Sequence, residues 1–145
     1  MKVFKILILF LIGGILYYLI EILYDGSSHF SMAIVGGLSF IIGGLLNEKL
    51  PRLSIKKQAL IITFVILVLE YLSGYIVNIK LGLNVWDYSN MPFNLHGQIC
   101  LYFGLIWYFV FSPLIIWFDD VLRYVLFKEE KPNSLFNIYK KLIKF

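Results

Sequence analysis

The chain has 145 residues, 60% of them hydrophobic and only 15% charged, with a mean hydropathy of +0.83. Soluble domains carry about 45–50% apolar and about 25% charged residues, which excludes a soluble globular fold here. The net charge of +4 is read as a sign of membrane orientation, not nucleic-acid binding, and the single cysteine, Cys100, excludes an intrachain disulfide or a multi-cysteine metal site.

Lys2 and Lys5 precede the apolar run Ile6–Ile20. The residues after it, Glu21, Tyr24 and Asp25, offer no small-x-small cleavage site, so the run reads as a retained spanning helix over about residues 4–24. Gly13, Tyr17 and Glu21 are spaced i, i+4, i+8 and share one face. Asp25-Gly26-Ser27-Ser28 makes a short turn, with His29 ahead of a second helix over about residues 30–46. The small residues Gly36, Gly37, Ser39, Gly43 and Gly44 in that helix suit close helix packing in lipid. The connection after it carries Lys49, Arg52, Lys56 and Lys57 against Glu48, with Pro51 as the stop signal.

A third helix is expected over about residues 59–79. Glu70 is its twelfth residue, near the bilayer midplane, and forms a stripe with Gly74 and Asn78. A charged carboxylate at that depth costs on the order of 2.5–3.5 kcal/mol on insertion scales, so Glu70 is expected to face a polar cavity or network. The long connection Asn84–Cys100 is rich in polar and aromatic residues. A fourth helix is expected over about residues 97–118, with Asp119, Asp120 and Arg123 where it emerges. In the tail, Leu135, Ile138, Tyr139, Leu142 and Phe145 oppose Lys140, Lys141 and Lys144, the pattern of an interfacial amphipathic helix. The expected fold is an all-α membrane protein: a bundle of four transmembrane helices over residues 1–127, and a cytoplasmic amphipathic tail over 128–145.

Of the 13 Lys and Arg residues, two lie at the N-terminus, four between the second and third helices, and six from Asp119 onward, leaving only Lys80 on the opposite side of a four-helix crossing. The positive-inside rule then places both termini in the cytoplasm of a multi-pass plasma-membrane (inner-membrane) protein. The opposite face collects Glu21, Asp25, His29, Asn78, Asp87, Asn94 and His96, with Glu70 beneath them. Such a lining favours cations or neutral polar ligands over anions. The residues expected to bind substrate or proton are Glu21, Glu70, Asn78, Asp87, Asn94 and His96, supported by His29, Trp86, Tyr88, Gln98 and Trp107. For the Trp86–Asn90 run, interfacial aromatics and an Asx-turn remain an equally physical reading. Neither a metal nor a cofactor is expected. The chain contains no GxxxxGK[ST], HExxH, GxSxG or CxxC motif, so catalytic residues remain unassigned and a non-enzyme is favoured.

Glu21, the run His29-Phe30-Ser31-Met32 leading to Gly36-Gly37, Glu70 with Gly74 and Asn78, and the stretch NVWDYSNMPFNLHGQIC together resemble one family. It is the set of small bacterial membrane proteins described as Putative ABC-transporter type IV. The resemblance spans roughly residues 10–125 and implies a transport-related membrane subunit. As the chain has no nucleotide-binding motif, a permease-like role would require a separate ATPase.

Three readings stay open. The first is binding or translocation of a small polar or cationic solute, by a homodimer or with a partner membrane or ATPase subunit. The second is an enzyme acting on a lipid-linked or headgroup substrate, with Glu70 or His96 as base and Asn94 or Gln98 orienting. The third is a structural or regulatory subunit.

Overall fold

The structure is a computed structural model that describes residues 2–26, 29–49 and 53–143. Ser27, Ser28, Pro51, Arg52, Lys144 and Phe145, and the side chains of Asp25 and Lys49, lie outside the described residues. The described chain forms α1 (Lys2–Asp25), α2 (Phe30–Lys49), α3 (Ile55–Lys80), α4 (Leu101–Phe127) and α5 (Leu135–Ile143). A two-residue ladder, β1 (Asn94–Leu95) and β2 (Ile99–Cys100), pairs antiparallel in the α3–α4 connection. Three helices are long and apolar enough to cross a membrane: Val3–Leu23, Ile55–Lys80 and Leu101–Phe127; Phe30–Leu46 is a shorter apolar helix.

The exposed faces are those of a chain solvated by lipid. Leu7, Leu11, Ile15 and Leu19 line one side of α1, and Leu60, Phe64, Val68 and Leu72 one side of α3, all exposed. Repeats of four residues put each set on a single helix face. Stripes of this kind far exceed the apolar patches that water tolerates on a monomer.

The interior is held by small residues. A Cβ on Gly13 would sit 2.5 Å from the Phe40 Cβ, and one on Gly14 would collide with the Ala33 carbonyl oxygen. Gly36 faces Tyr17 across the same seam. Thus α1 and α2 meet almost backbone to backbone, the mode by which helices associate in lipid. Gly43 lies against Ile115, and Gly44 against the carboxylate of Asp119, so α2 also packs on α4.

Both long helices that carry the polar residues depart from regular α geometry. α3 widens into a π turn over Tyr75–Lys80, and α4 does so over Trp107–Phe111. In α4 the cause is local: Pro113 has no N–H to return to the preceding turn. The Val110 carbonyl in that turn accepts a 2.7 Å hydrogen bond from the Tyr139 hydroxyl of α5.

Three expectations change. The fourth helix does not begin at Gly97: Gly97 has φ +73°, Cys100 is extended, and the helix starts at Leu101. Nor does it end at residue 118. It continues to Phe127 because Arg123 pairs with Asp119 and Asp120 along the helix, until Lys128 turns left-handed. The tail helix forms over Leu135–Ile143, but its apolar side does not simply face a membrane surface. Ile138 and Leu142 are buried, and Ile138 joins Ile62, Ile66, Trp107 and Ile116 in the core of the bundle.

Candidate functional site

Glu70 sits about 15 Å below the end of α3 at Lys80, taking 1.5 Å per residue, and is 5% exposed. Its Oε1 accepts a 2.8 Å hydrogen bond from the Tyr17 hydroxyl of α1. The Trp107 side chain of α4 is a second hydrogen-bonding neighbour, and Glu21, one turn beyond Tyr17, is close enough to add its charge. Three helices therefore converge on one carboxyl group. Each residue arrives for a local reason. Tyr17 is seated by Gly36, which leaves room for its ring, and Trp107 is turned inward by the π turn it opens. The Tyr17 and Trp107 rings meet edge to face at 5.3 Å.

Above this carboxyl lies a crevice of about 320 Å³ between α1 and α4, capped by Tyr88 from the long connection. Glu21 and Glu70 are its acidic groups. Tyr17, Tyr88, Tyr102, Phe103, Trp107 and Phe111 supply an aromatic wall. Tyr88 stacks on Phe103 at 4.8 Å, which fixes the cap to α4. Of the expected site residues, Glu21, Glu70, Tyr88 and Trp107 come together here.

Asn78 near the end of α3, and Trp86, Asp87, Asn94, His96 and Gln98 of the α3–α4 connection, are engaged with one another, with loop backbone or with α3. Asn78 donates to the Gln98 Oε1 at 2.8 Å and accepts from the Val85 amide at 2.7 Å. Trp86 donates its indole N–H to the Gln98 carbonyl at 2.9 Å, and Gln98 donates to the His96 carbonyl at 2.9 Å. Asn94 bridges Met91 and Gly97. Asp87 accepts from the Ser89 amide at 2.9 Å, and hydrogen bonds from Ser89 hold its carboxyl below the ordinary value. His96 and Gly97 both have positive φ in the tight turn between β1 and β2, and the His96 Nδ1 meets the Tyr71 hydroxyl at 2.7 Å. Gly74 permits this knot to close on α3, since a Cβ there would strike Gln98. His29 stands apart: its Nδ1 accepts from the Ser31 amide at 3.2 Å, capping α2.

Two features lay outside the sequence reading of the site. Tyr17 is one, although its i, i+4 spacing to Glu21 was a usable signal. The other is an ionic cluster at the opposite end of the bundle. Lys5 reaches Glu48 at 3.1 Å and Glu129 at 2.6 Å, while Arg123 holds Asp119 at 2.8 Å, Asp120, and Glu129 at 3.2 Å. Asp119 is 1% exposed. The spacings 119/123 and 120/123 were its signature.

Chemically, the crevice can stabilise positive charge. Among the described residues no group of three potential metal ligands converges. A family model described as Putative ABC-transporter type IV matches residues 2–142. No curated protein and no solved structure matches the chain.

Proposed function

The chain belongs to that family, and on this premise we propose that it is a transport-related membrane protein whose crevice binds a small polar or cationic solute. The observation that carries the reading is Glu70. Tyr17, whose hydroxyl donates to it, and its neighbour Trp107 are neutral, and Glu21, whose charge also acts on it, is another acid. An ionised carboxylate so placed has no counter-charge among the described residues, and leaving one buried without a partner costs several kcal/mol. A proton or a cationic ligand supplies what the protein does not.

In this reading Phe30–Leu46 is a fourth span, both termini are cytoplasmic, and the crevice faces the outer side of the bacterial inner membrane. The loop-charge asymmetry supports that orientation. Asn78, Asp87, Asn94, His96, Trp86 and Gln98 then act by holding the cap in place, with His29 ordering the start of α2. An enzymatic role draws less support: His96 is engaged by Tyr71, and Asn94 and Gln98 are engaged by backbone.

The test compares thermal unfolding of wild type and Glu70→Gln in detergent, against a panel of inorganic cations, amines and neutral polar metabolites. A compound that stabilises wild type and not Glu70→Gln, with both folded in its absence, is the expected result. Uptake of that compound into proteoliposomes then separates transport from simple binding. A panel without effect on wild type, with a mutant that is merely less stable, would sink the reading and favour a structural role for Glu70.

A further inference from the structure

A second chamber adjoins the first. It has a volume of about 220 Å³ and lies further along the same α1–α4 interval, sharing Tyr17, Ile20, Trp107 and Phe111 with the acidic crevice. Its own walls are almost entirely apolar, among them Leu16, Phe40, Leu114, Trp117 and Phe118. The two chambers abut at the residues they share and are read together as one slot. Its end near the Tyr88 cap is acidic and aromatic, and its end toward the ionic cluster is greasy.

That order selects a ligand chemistry. Hard cations such as Ca2+ and Mg2+ take about six or more oxygen ligands, and among the described residues no three acidic, histidine or cysteine side chains converge to hold a metal ion. An anion meets Glu21 and Glu70. A wholly apolar molecule leaves the Glu70 carboxyl buried against hydrocarbon. Aromatic faces around a carboxylate suit a weakly hydrated organic ammonium, which gains both Coulombic and cation–π attraction. The adjoining chamber suits an alkyl or aryl group attached to it.

We infer that the slot is a site for an amphiphilic organic cation, an ammonium head between Glu21, Glu70 and the aromatic wall with its apolar substituent in the second chamber. This rests on the cation-binding reading of Glu70 and narrows it. The slot opens where α1 and α4 touch each other sparsely, and Gly36, Ser39 and Phe40 of α2 line its apolar end. Such a ligand aligns with the bilayer normal, head toward the capped end, as a lipid does.

The test is a binding titration on the full chain in nanodiscs, followed by tryptophan fluorescence, because Trp107 and Trp117 both line the slot. Four probes separate the contributions: phenyltrimethylammonium, tetramethylammonium, tert-butylbenzene (the neutral isostere of the first) and benzenesulfonate. Empty nanodiscs give the partition baseline. Phenyltrimethylammonium is expected to bind wild type at least about tenfold more tightly than each of the other three. Glu70→Gln should remove the advantage over tert-butylbenzene, and Leu114→Phe, which fills the second chamber, the advantage over tetramethylammonium.

Equal binding of tetramethylammonium overturns the inference while leaving the cation-binding reading intact. Equal binding of tert-butylbenzene makes the slot an ordinary lipid-filled crevice, and overturns it too. No binding by any probe, together with a cross-linked dimer through α1 and α4, assigns the slot to a second copy of the chain. The comparison of probes on wild type decides the matter even if a variant fails to fold.

Discussion

Alanine at Gly14 and at Gly104 should have opposite effects on stability. At Gly14 the new Cβ collides with the Ala33 carbonyl oxygen, with the Ala33 carbonyl carbon at 3.3 Å and the Gly37 nitrogen at 3.6 Å. All three are backbone atoms of α2, so no rotamer change relieves the clash. The α1–α2 seam must open by on the order of 1 Å to restore ordinary van der Waals separation. Overpacking of this kind costs about 1–3 kcal/mol, and the opening also loosens Gly13 against Phe40 and Gly36 against Tyr17. Against this stands the intrinsic preference of a helix interior for alanine, about 1 kcal/mol. The net expectation is a loss of up to about 2 kcal/mol for Gly14→Ala. At Gly104 the Cβ meets only the Leu67 Cδ1, at 3.5 Å, an ordinary contact. Gly104→Ala should therefore keep most of the propensity gain and stabilise by about 0.5–1 kcal/mol. Reversible unfolding in mixed micelles, followed by tryptophan fluorescence, measures both. If Gly14→Ala proves as stable as Gly104→Ala, the backbone-to-backbone description of the seam is wrong.

Three further outcomes follow from other parts of the molecule. Gly97→Ala should loosen the cap, because φ is +73° there and the Cβ would lie 2.8 Å from the Asp87 Oδ1. Hydrogen exchange of the Tyr88 amide, which donates to the Gly97 carbonyl at 2.7 Å, should speed up, and unchanged protection would contradict the geometry. Arg123→Gln should cost about 3–5 kcal/mol by leaving the buried Asp119 without its cation. The double variant with Asp119→Asn should recover much of that, and a double variant no more stable than the single would refute the pairing. Partial burial raises the Glu129 carboxyl, but hydrogen bonds from Lys5 and Arg123, and their charges, hold it below its ordinary value of 4.5. A carboxyl lowered by folding adds stability that is present above the ordinary value and is lost as pH falls through the folded value. Unfolding measured on acidification should thus show a shallower decline for Glu129→Gln than for wild type, and parallel curves would show that the contact is idle.

Three long apolar helices were legible because apolar runs of this length, bounded by charges and turn residues, have few other interpretations. The end of α4 was hidden by Asp119 and Asp120, which look like an exit into water until Arg123 neutralises them from within the helix. Glu70 was legible from depth alone. Tyr17 was not, since a phenol on an apolar helix resembles packing until its hydroxyl is seen on the carboxyl. The polar run around Asn94, His96 and Gln98 was legible as a cluster, but its hydrogen-bond partners were not. Side chains that bind a ligand and side chains that satisfy their own loop have the same composition, and only the fold distinguishes them. The period of the tail likewise announces a helix with one apolar side, without stating whether lipid or protein covers it.

The glycine seam has a mechanical consequence. Two rods whose main chains meet this closely, with rings such as Tyr17 and Phe40 seated over the glycines of the opposite helix, behave as a single plate. Relative to the remaining helices this plate is fastened by the Tyr17–Glu70 hydrogen bond partway along and by the Lys5–Glu129 ion pair at one edge. Force applied at either fastening is transmitted along the whole width of α1 and α2 together.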